Sequence, residues 1–135
     1  MADAAQSTEI TIDPTTLLDE LLFNGTFTLE VEVVPKIKAE FRVRTAEEDA
    51  KIGKQLAEMD IKGGLQADME MGLLTLAYSA LSFSGKDLSE IPPYPDRYNF
   101  FSKYPAPLIG VTLRRLHDFD QAVLKALGED GVENF

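Results

Sequence analysis

Two neighbouring segments that alternate strictly between apolar and polar residues constrain the fold of this chain more than any other feature. Every second residue is apolar in residues 26–34, and the same pattern returns in residues 37–44 with lysine, arginine and glutamate between the apolar positions. A period of two is typical of strands that have one buried and one solvated face. We therefore predict an antiparallel β-hairpin over these residues.

The numbering of the apolar residues also restricts the register of this hairpin. Both apolar sets are odd-numbered, so residues that lie opposite each other must have numbers that sum to an even value. A two-residue turn at Pro35 and Lys36 would pair odd with even residues and split the apolar face. We therefore predict a loop with an odd number of residues, such as residues 34–36. The resulting pairs are Leu29 with Phe41, Val31 with Ala39 and Glu32 with Lys38.

Helix-capping signals precede and follow the hairpin. Asp13 and Pro14 are typical of an N-cap and a first helical position, and Asn24-Gly25 ends the short leucine-rich helix that they predict. The pattern from Thr45 to Glu48 is a capping box that starts a second helix, which runs to the break at residues 63–64.

The remainder of the chain favours helices. Apolar residues at helical spacing predict long helices over residues 65–83 and 107–127, with a short helix over residues 96–103 after a proline-rich irregular stretch. The order is a short N-terminal helix, an antiparallel β-hairpin and then three to four helices in a small helical body, which is an α+β fold. We expect a single α+β domain at residues 13–128, with residues 1–12 as a flexible acidic arm and residues 129–135 as an acidic tail.

Charge and residue inventory exclude several classes of function. Thirteen basic and twenty-three acidic residues give a net charge of -10, which argues against binding to nucleic acid or to an anionic membrane. The chain has no cysteine and one histidine, so thiolate chemistry and multi-histidine metal sites are excluded. We predict no catalytic residue, no metal and no organic cofactor.

Three motifs that could suggest chemistry have structural interpretations. His117 and Asp118 are adjacent on a predicted helix and therefore do not face each other. The acidic run at residues 47–49 is typical of a helix N-terminus, where the helix dipole favours negative charge. The Gly63-Gly64 pair lacks the further residues of a phosphate-binding loop.

An aromatic cluster near the prolines is the best candidate for a binding site. Because few basic residues lie near it, core lining or protein binding is better supported than base stacking. The residues that we predict to bind a partner are Tyr94, Tyr98, Phe100, Phe101 and Tyr104.

The order of features also resembles a known family. The relevant segments are F-R-V-R-T-A-E-E-D at residues 41–49, L-A-Y-S-A-L-S-F-S-G-K-D-L at residues 76–88, and the region from R-Y-N-F-F-S-K-Y-P to L-R-R-L-H-D-F-D-Q-A-V at residues 97–123. Over residues 25–125 the chain is similar to small tail-assembly and baseplate-assembly proteins of tailed bacteriophages, including tail assembly chaperones. The resemblance rests on order and spacing.

The resemblance implies a non-enzymatic phage tail or baseplate assembly protein that binds other tail or baseplate proteins, as a chaperone or as a small structural component, with oligomers possible within the assembly. It implies a location in the host cytoplasm during assembly or in the virion tail. Two alternatives stay open. One is a small cytoplasmic enzyme or regulatory subunit that uses carboxylates as acid/base groups, and the other is a cytoplasmic adaptor unrelated to phages.

Overall fold

A four-stranded antiparallel sheet and its flanking helices form the fold, and the α+β class is confirmed. The structure is a computed structural model that describes residues 9–59, 61 and 63–128. The helices are α1 Pro14–Asn24, α2 Ala46–Glu58, α3 Leu65–Ser79, α4 Tyr98–Ser102 and α5 Ala106–Ala126, and the strands are β1 Thr28–Val34, β2 Ile37–Arg42, β3 Ala80–Phe83 and β4 Lys86–Asp87. The strands lie in the order β1-β2-β3-β4.

The capping signals read from the sequence act as predicted. The Asp13 carboxylate accepts a hydrogen bond from the backbone N–H of Thr16, and Gly25 ends α1 in the left-handed region with φ of 76°. The Thr45 hydroxyl accepts from the N–H of Glu48, whose carboxylate accepts from the N–H of Thr45. These bonds satisfy backbone donors that each helix leaves unpaired at its start.

The hairpin register is confirmed, but the predicted loop length is wrong. Leu29 lies opposite Phe41, and Val31 opposite Ala39, as the parity argument requires. The turn nevertheless contains only Pro35 and Lys36, because Val34 pairs with Ile37. A register irregularity between Glu32 and Val34 makes the predicted register compatible with the two-residue turn. This β-bulge adds one residue to β1, so the odd-numbered residues before it still pair with odd-numbered residues of β2.

The long helix predicted over residues 65–83 is also wrong in its last turn. Helix α3 ends at Ser79, and Ala80 begins strand β3, which pairs with β2. Ser84 and Gly85 follow with φ of 51° and 85°, the pair of positive φ values that a tight hairpin turn needs. Residues 80–83 form a strand rather than a last helical turn because β2 would otherwise leave a second sheet edge unpaired.

The core lies between the sheet and α5. Phe119 of α5 is fully buried and its ring contacts those of Phe27 and Phe41, at centroid distances of 6.5 and 6.0 Å. Helix α2 contributes a smaller cluster in which Ile52 packs with Leu74 and Tyr78 of α3. These contacts pack α5 against the sheet and α2 against α3.

Two boundary expectations need correction. Ile12, which we placed in the arm, is 8% exposed and joins the core, and Ile10 packs against it. The predicted leucine-rich helix, α1, buries Leu17 fully, whereas its leucines Leu18 and Leu22 stay exposed. Residues 1–8 of the predicted arm and the predicted tail at residues 129–135 lie outside the described residues.

Candidate partner-binding site

The aromatic segment is held in place by one buried arginine. A wide irregular turn over Pro93–Arg97, with a cis peptide bond between Tyr94 and Pro95, leads directly into α4. Arg97 is 6% exposed. Its guanidinium donates to five backbone carbonyl oxygens, those of Ala77, Ala80, Leu88, Ser89 and Ile91. It thereby joins the end of α3 to the loop that precedes α4.

The buried side of the segment forms a cluster of rings around Phe83. The Phe83 ring contacts Phe101 at 5.4 Å and Tyr104 at 5.2 Å between centroids, both edge to face. Phe101 has no exposed surface. In the folded chain Phe101 is therefore a core residue that supports the segment from below, and it is removed from the set of residues available to a partner.

Beside this cluster lies a groove with an aromatic wall, whose rings also contact Phe83 at their buried edge. The groove holds about 460 Å³ and is lined by Asp96, Asn99, Phe100, Lys103 and Tyr104. Phe100 and Tyr104 are half-buried and their rings stack edge to face at 5.3 Å. We name this feature the α4 groove. Its apolar wall and its rim of one carboxylate, one amide and one ammonium group match the anatomy of a protein-binding patch.

The remaining two tyrosines lie outside the α4 groove. The Tyr94 ring contacts the Tyr98 ring in a tilted arrangement at 5.4 Å between centroids, and the Tyr98 hydroxyl donates to the Glu70 carboxylate of α3. Burial, followed by this bond, raises the pKa of Tyr98 to about 12. Tyr98 therefore acts as a contact between the segment and α3, while Tyr94 stays 37% exposed. Of the five predicted residues, the structure brings Phe100 and Tyr104 together at an open surface.

Carboxylates meet elsewhere, around Arg44 at the end of the hairpin. The guanidinium binds Asp49 at 2.8 Å and Asp120 at 3.4 Å, and it donates to the Ser79 hydroxyl at 2.7 Å. Burial raises the pKa of Asp120 in spite of Arg44. The groove described above and the concavities near β1 are lined by other residues. Arg44 thus links the end of the hairpin to side chains of α2, α3 and α5.

The other motifs occupy the places that their structural interpretations require. His117 is exposed on α5, and the neighbouring Asp118 binds Arg115, three residues earlier, at 2.8 Å. Glu48 of the acidic run binds Arg42 at 2.8 Å. Burial alone would raise the pKa of Glu48, but the bonds from Thr45 and Arg42 together lower it.

Two further features are absent from the part of the chain that the structure describes. No group of three or more histidine, aspartate or glutamate side chains there is arranged to hold a metal ion. None of the described helices has the length and apolarity needed to cross a membrane.

Two residues that shape the site were missed by the sequence reasoning. The sequence pattern predicts a helix at Phe83 and gives no role to Arg97. The Ser84-Gly85 pair is a turn signal that could have indicated a hairpin directly after Phe83. No local pattern indicates the role of Arg97, because its acceptors come from two separate stretches of the chain, residues 77–80 and 88–91.

Comparison of the chain with protein-family models, with curated proteins and with solved structures gave no match.

Proposed function

We propose that this chain is a non-enzymatic assembly protein of a phage tail or baseplate, and that it acts by binding another protein of the assembly through the α4 groove. The observation that carries the binding role is the arrangement of Phe100 and Tyr104, two half-buried rings on an open wall with a polar rim. Aromatic residues in such positions dominate the energetics of protein interfaces. The phage assignment is supported by the resemblance over residues 25–125. Assembly would then take place in the host cytoplasm.

The polar residues at the rim of the α4 groove would fix the orientation of a bound partner. Asp96, Asn99 and Lys103 surround the rings with a negative group, a neutral group and a positive group. Such a rim fixes the orientation of a partner, while the rings supply most of the affinity once water is excluded. We infer that the partner presents an apolar side chain that enters the groove and packs against the touching rings of Phe100 and Tyr104.

The experiment is co-purification of this chain with tail and baseplate proteins encoded beside it, compared across variants. Phe100→Ala and Tyr104→Ala should each weaken the complex at least tenfold, as expected for central aromatic residues of an interface. Tyr94→Ala is the matched control, because Tyr94 is an exposed aromatic residue outside the groove.

Each variant must keep the unfolding temperature of a folded chain for this comparison to count. Phe101→Ala is unsuitable, because it removes a fully buried ring. Equal binding by Phe100→Ala, Tyr104→Ala and wild type would overturn the role of the groove. The absence of any complex with the neighbouring tail and baseplate proteins would overturn the assembly function itself.

A further inference from the structure

Strand β1 forms one edge of the sheet, and its backbone shows which groups face outward. The N–H of Val43 donates to the carbonyl of Phe27, so the polar backbone groups of odd-numbered residues point towards β2. The carbonyl of Glu32 points the other way, because it accepts a hydrogen bond from Arg115 of α5 at 3.0 Å. Since ladder orientation alternates along a strand, the backbone groups of Thr28 and Glu30 also point outward.

The two halves of this edge are protected differently. Towards its C-terminal end, the bulge near Val33, the turn at Pro35 and the bond from Arg115 to Glu32 block pairing, and these are devices that proteins use to protect sheet edges. Towards its N-terminal end, the outward N–H and C=O groups of Thr28 and Glu30 have no hydrogen-bond partner among residues 9–59, 61 and 63–128. The open half is a site where another strand can pair.

A concavity lies along this edge. It holds about 430 Å³ and has residues 9–11 on one side and residues 29–32 on the other, with Lys38 and Arg115 also in its lining. Lys38 lies 3.9 Å from Glu30, and Arg115 binds Asp118. Glu9 and Glu32 in the lining, and Glu40 on the adjacent strand, make no ion pair with any other described residue. The surface therefore has a surplus of negative charge.

We propose that the open edge of β1, at Thr28 and Glu30, binds an extended basic segment of a partner protein as an additional strand of the sheet. Main-chain hydrogen bonds to the edge would supply affinity, and lysine or arginine side chains of the segment would face Glu30, Glu32 and Glu40. The inference rests on the proposed function in that the chain binds proteins, but it concerns a surface separate from the α4 groove.

Charge disfavours the other two occupants. A second copy of β1 paired antiparallel around Glu30 would bring glutamates opposite glutamates, which destabilises a sheet. Residues 1–8 of the same chain contain Asp3 and no lysine or arginine, so they do not complement an acidic surface. A basic segment from another protein satisfies both the backbone groups and the charge.

The test uses a short synthetic peptide of alternating lysine and valine as the probe, with a glutamate-valine peptide as the charge control. Binding to the full chain is measured by fluorescence anisotropy, and the amide signals that move are mapped by NMR. We expect the lysine peptide alone to bind, and the amides of Thr28, Glu30 and Glu32 to shift most. Shifts concentrated elsewhere, for example on the acidic residues of α1 or at the α4 groove, would overturn the proposal.

Variants separate the backbone contribution from the charge contribution. Thr28→Pro removes an outward N–H without a change of charge, and proline is tolerated at such edge positions. It should weaken peptide binding about fivefold, the equivalent of one hydrogen bond. Glu30→Gln removes one facing charge and should weaken binding about twofold to threefold, with less effect at high salt. Glu47→Gln, an exposed acid of α2 away from this edge, is the matched control and should bind as wild type.

Other results would show that a different segment occupies the edge of β1, or would separate failure of this proposal from failure of the α4 groove. Tighter peptide binding after deletion of residues 1–8 would show that this segment competes for the edge, and a dimer lost in Thr28→Pro would show that a second copy binds there; either result overturns the proposal. If Thr28→Pro does not fold, the NMR map of the wild-type chain decides. Because the probe is used without tail proteins, and Phe100→Ala should bind it normally, failure here is distinguishable from failure of the α4 groove.

Discussion

Glu30 lies directly opposite Glu40 in the ladder between β1 and β2, so two carboxylates face each other on the solvated side of the sheet. Lys38 approaches Glu30 at 3.9 Å and offsets part of the repulsion, but both of these side chains are largely exposed. The pair is not hydrogen-bonded across the ladder, which is the arrangement that brings opposite side chains closest. The repulsion between Glu30 and Glu40 therefore lowers the free energy of unfolding of the chain.

The first prediction follows from this pair. Glu40→Thr should raise the free energy of unfolding by about 0.5 kcal/mol, because it removes a cross-strand repulsion and introduces a residue that favours strands. The control is Glu32→Thr, which removes the same charge opposite Lys38 and should give no such gain. Urea denaturation at low and high salt measures both. A gain that is equal in the two variants, or unaffected by salt, would contradict the explanation.

The second prediction concerns the core beneath the same ladder. Phe41 has no exposed surface and contacts Phe119. Phe41→Ala should lower the free energy of unfolding by roughly 3–5 kcal/mol, because the lost ring leaves a cavity. Phe23→Ala serves as the control, since Phe23 is 83% exposed and should change stability by less than about 0.5 kcal/mol. Similar losses in the two variants, measured by urea denaturation, would refute this assignment of the core.

Sequence reasoning reaches these residues because hydrophobic alternation is local information. The odd-numbered apolar positions of both strands restrict the register to even sums, and a short loop then places Leu29 opposite Phe41, as the structure does. The bulge near Val33 is beyond such reasoning, since Val33 and Val34 are equally apolar and either could face the core. Only the packing of the whole hairpin on α5 decides between a three-residue loop and a bulge with a two-residue turn.

The third prediction concerns pH. The pKa of Glu48 is lowered in the folded chain. The ionised carboxylate therefore stabilises the folded chain at pH values above its ordinary pKa of 4.5. This stabilisation is lost as the pH falls through the lowered pKa of the folded chain. Glu48→Gln should cost about 1–2 kcal/mol at neutral pH through loss of the charged bond to Arg42. It should also flatten the acid side of the stability curve. Thermal unfolding across acidic pH checks this, and an unchanged acid limb would contradict it.

The fourth prediction compares two glycines with opposite roles. Gly85 has φ of 85° in the turn between β3 and β4, and Gly85→Ala should destabilise the chain by about 1 kcal/mol through backbone strain. Gly53 lies inside α2 with open space where a Cβ would be, and Gly53→Ala should stabilise by about 0.5–1 kcal/mol through helix propensity. Thermal unfolding should move in opposite directions, and a shift of the same sign in both would exclude this reasoning.

The fifth prediction tests the role of Arg97. Arg97→Met preserves much of the side-chain volume but leaves buried carbonyls without their donor, and it should cost at least about 3 kcal/mol. Arg114→Met is the control, because Arg114 is exposed on α5. If the segment is held by Arg97, proteolysis of the folded variant should begin near residues 88–97. A variant as stable as wild type would show that the aromatic rings alone hold α4.

The candidate site was harder to derive than the hairpin for a related reason. The aromatic residues at 94–104 are visible in the sequence, but their exposure is set by residues far along the chain. Phe101 is buried because Phe83 of β3 lies beneath it, and Ala80–Phe83 becomes a strand only because β2 offers an edge. An apolar run such as residues 76–83 fits a helix and a strand equally well until that edge is known.

The bulge near Val33 has a consequence for how this chain can change in length. Deletion of Val33 would let Val34 take its place, leaving Glu32 opposite Lys38 and a regular two-residue turn at Pro35 and Lys36. No residue between Thr28 and Glu32 would cross to the other face of the sheet. Most single-residue deletions in a strand reverse its inside and outside, so this is a position in β1 where relatives of the chain can be one residue shorter. Expression and unfolding of the Val33 deletion beside a deletion of Val31 would reveal the difference.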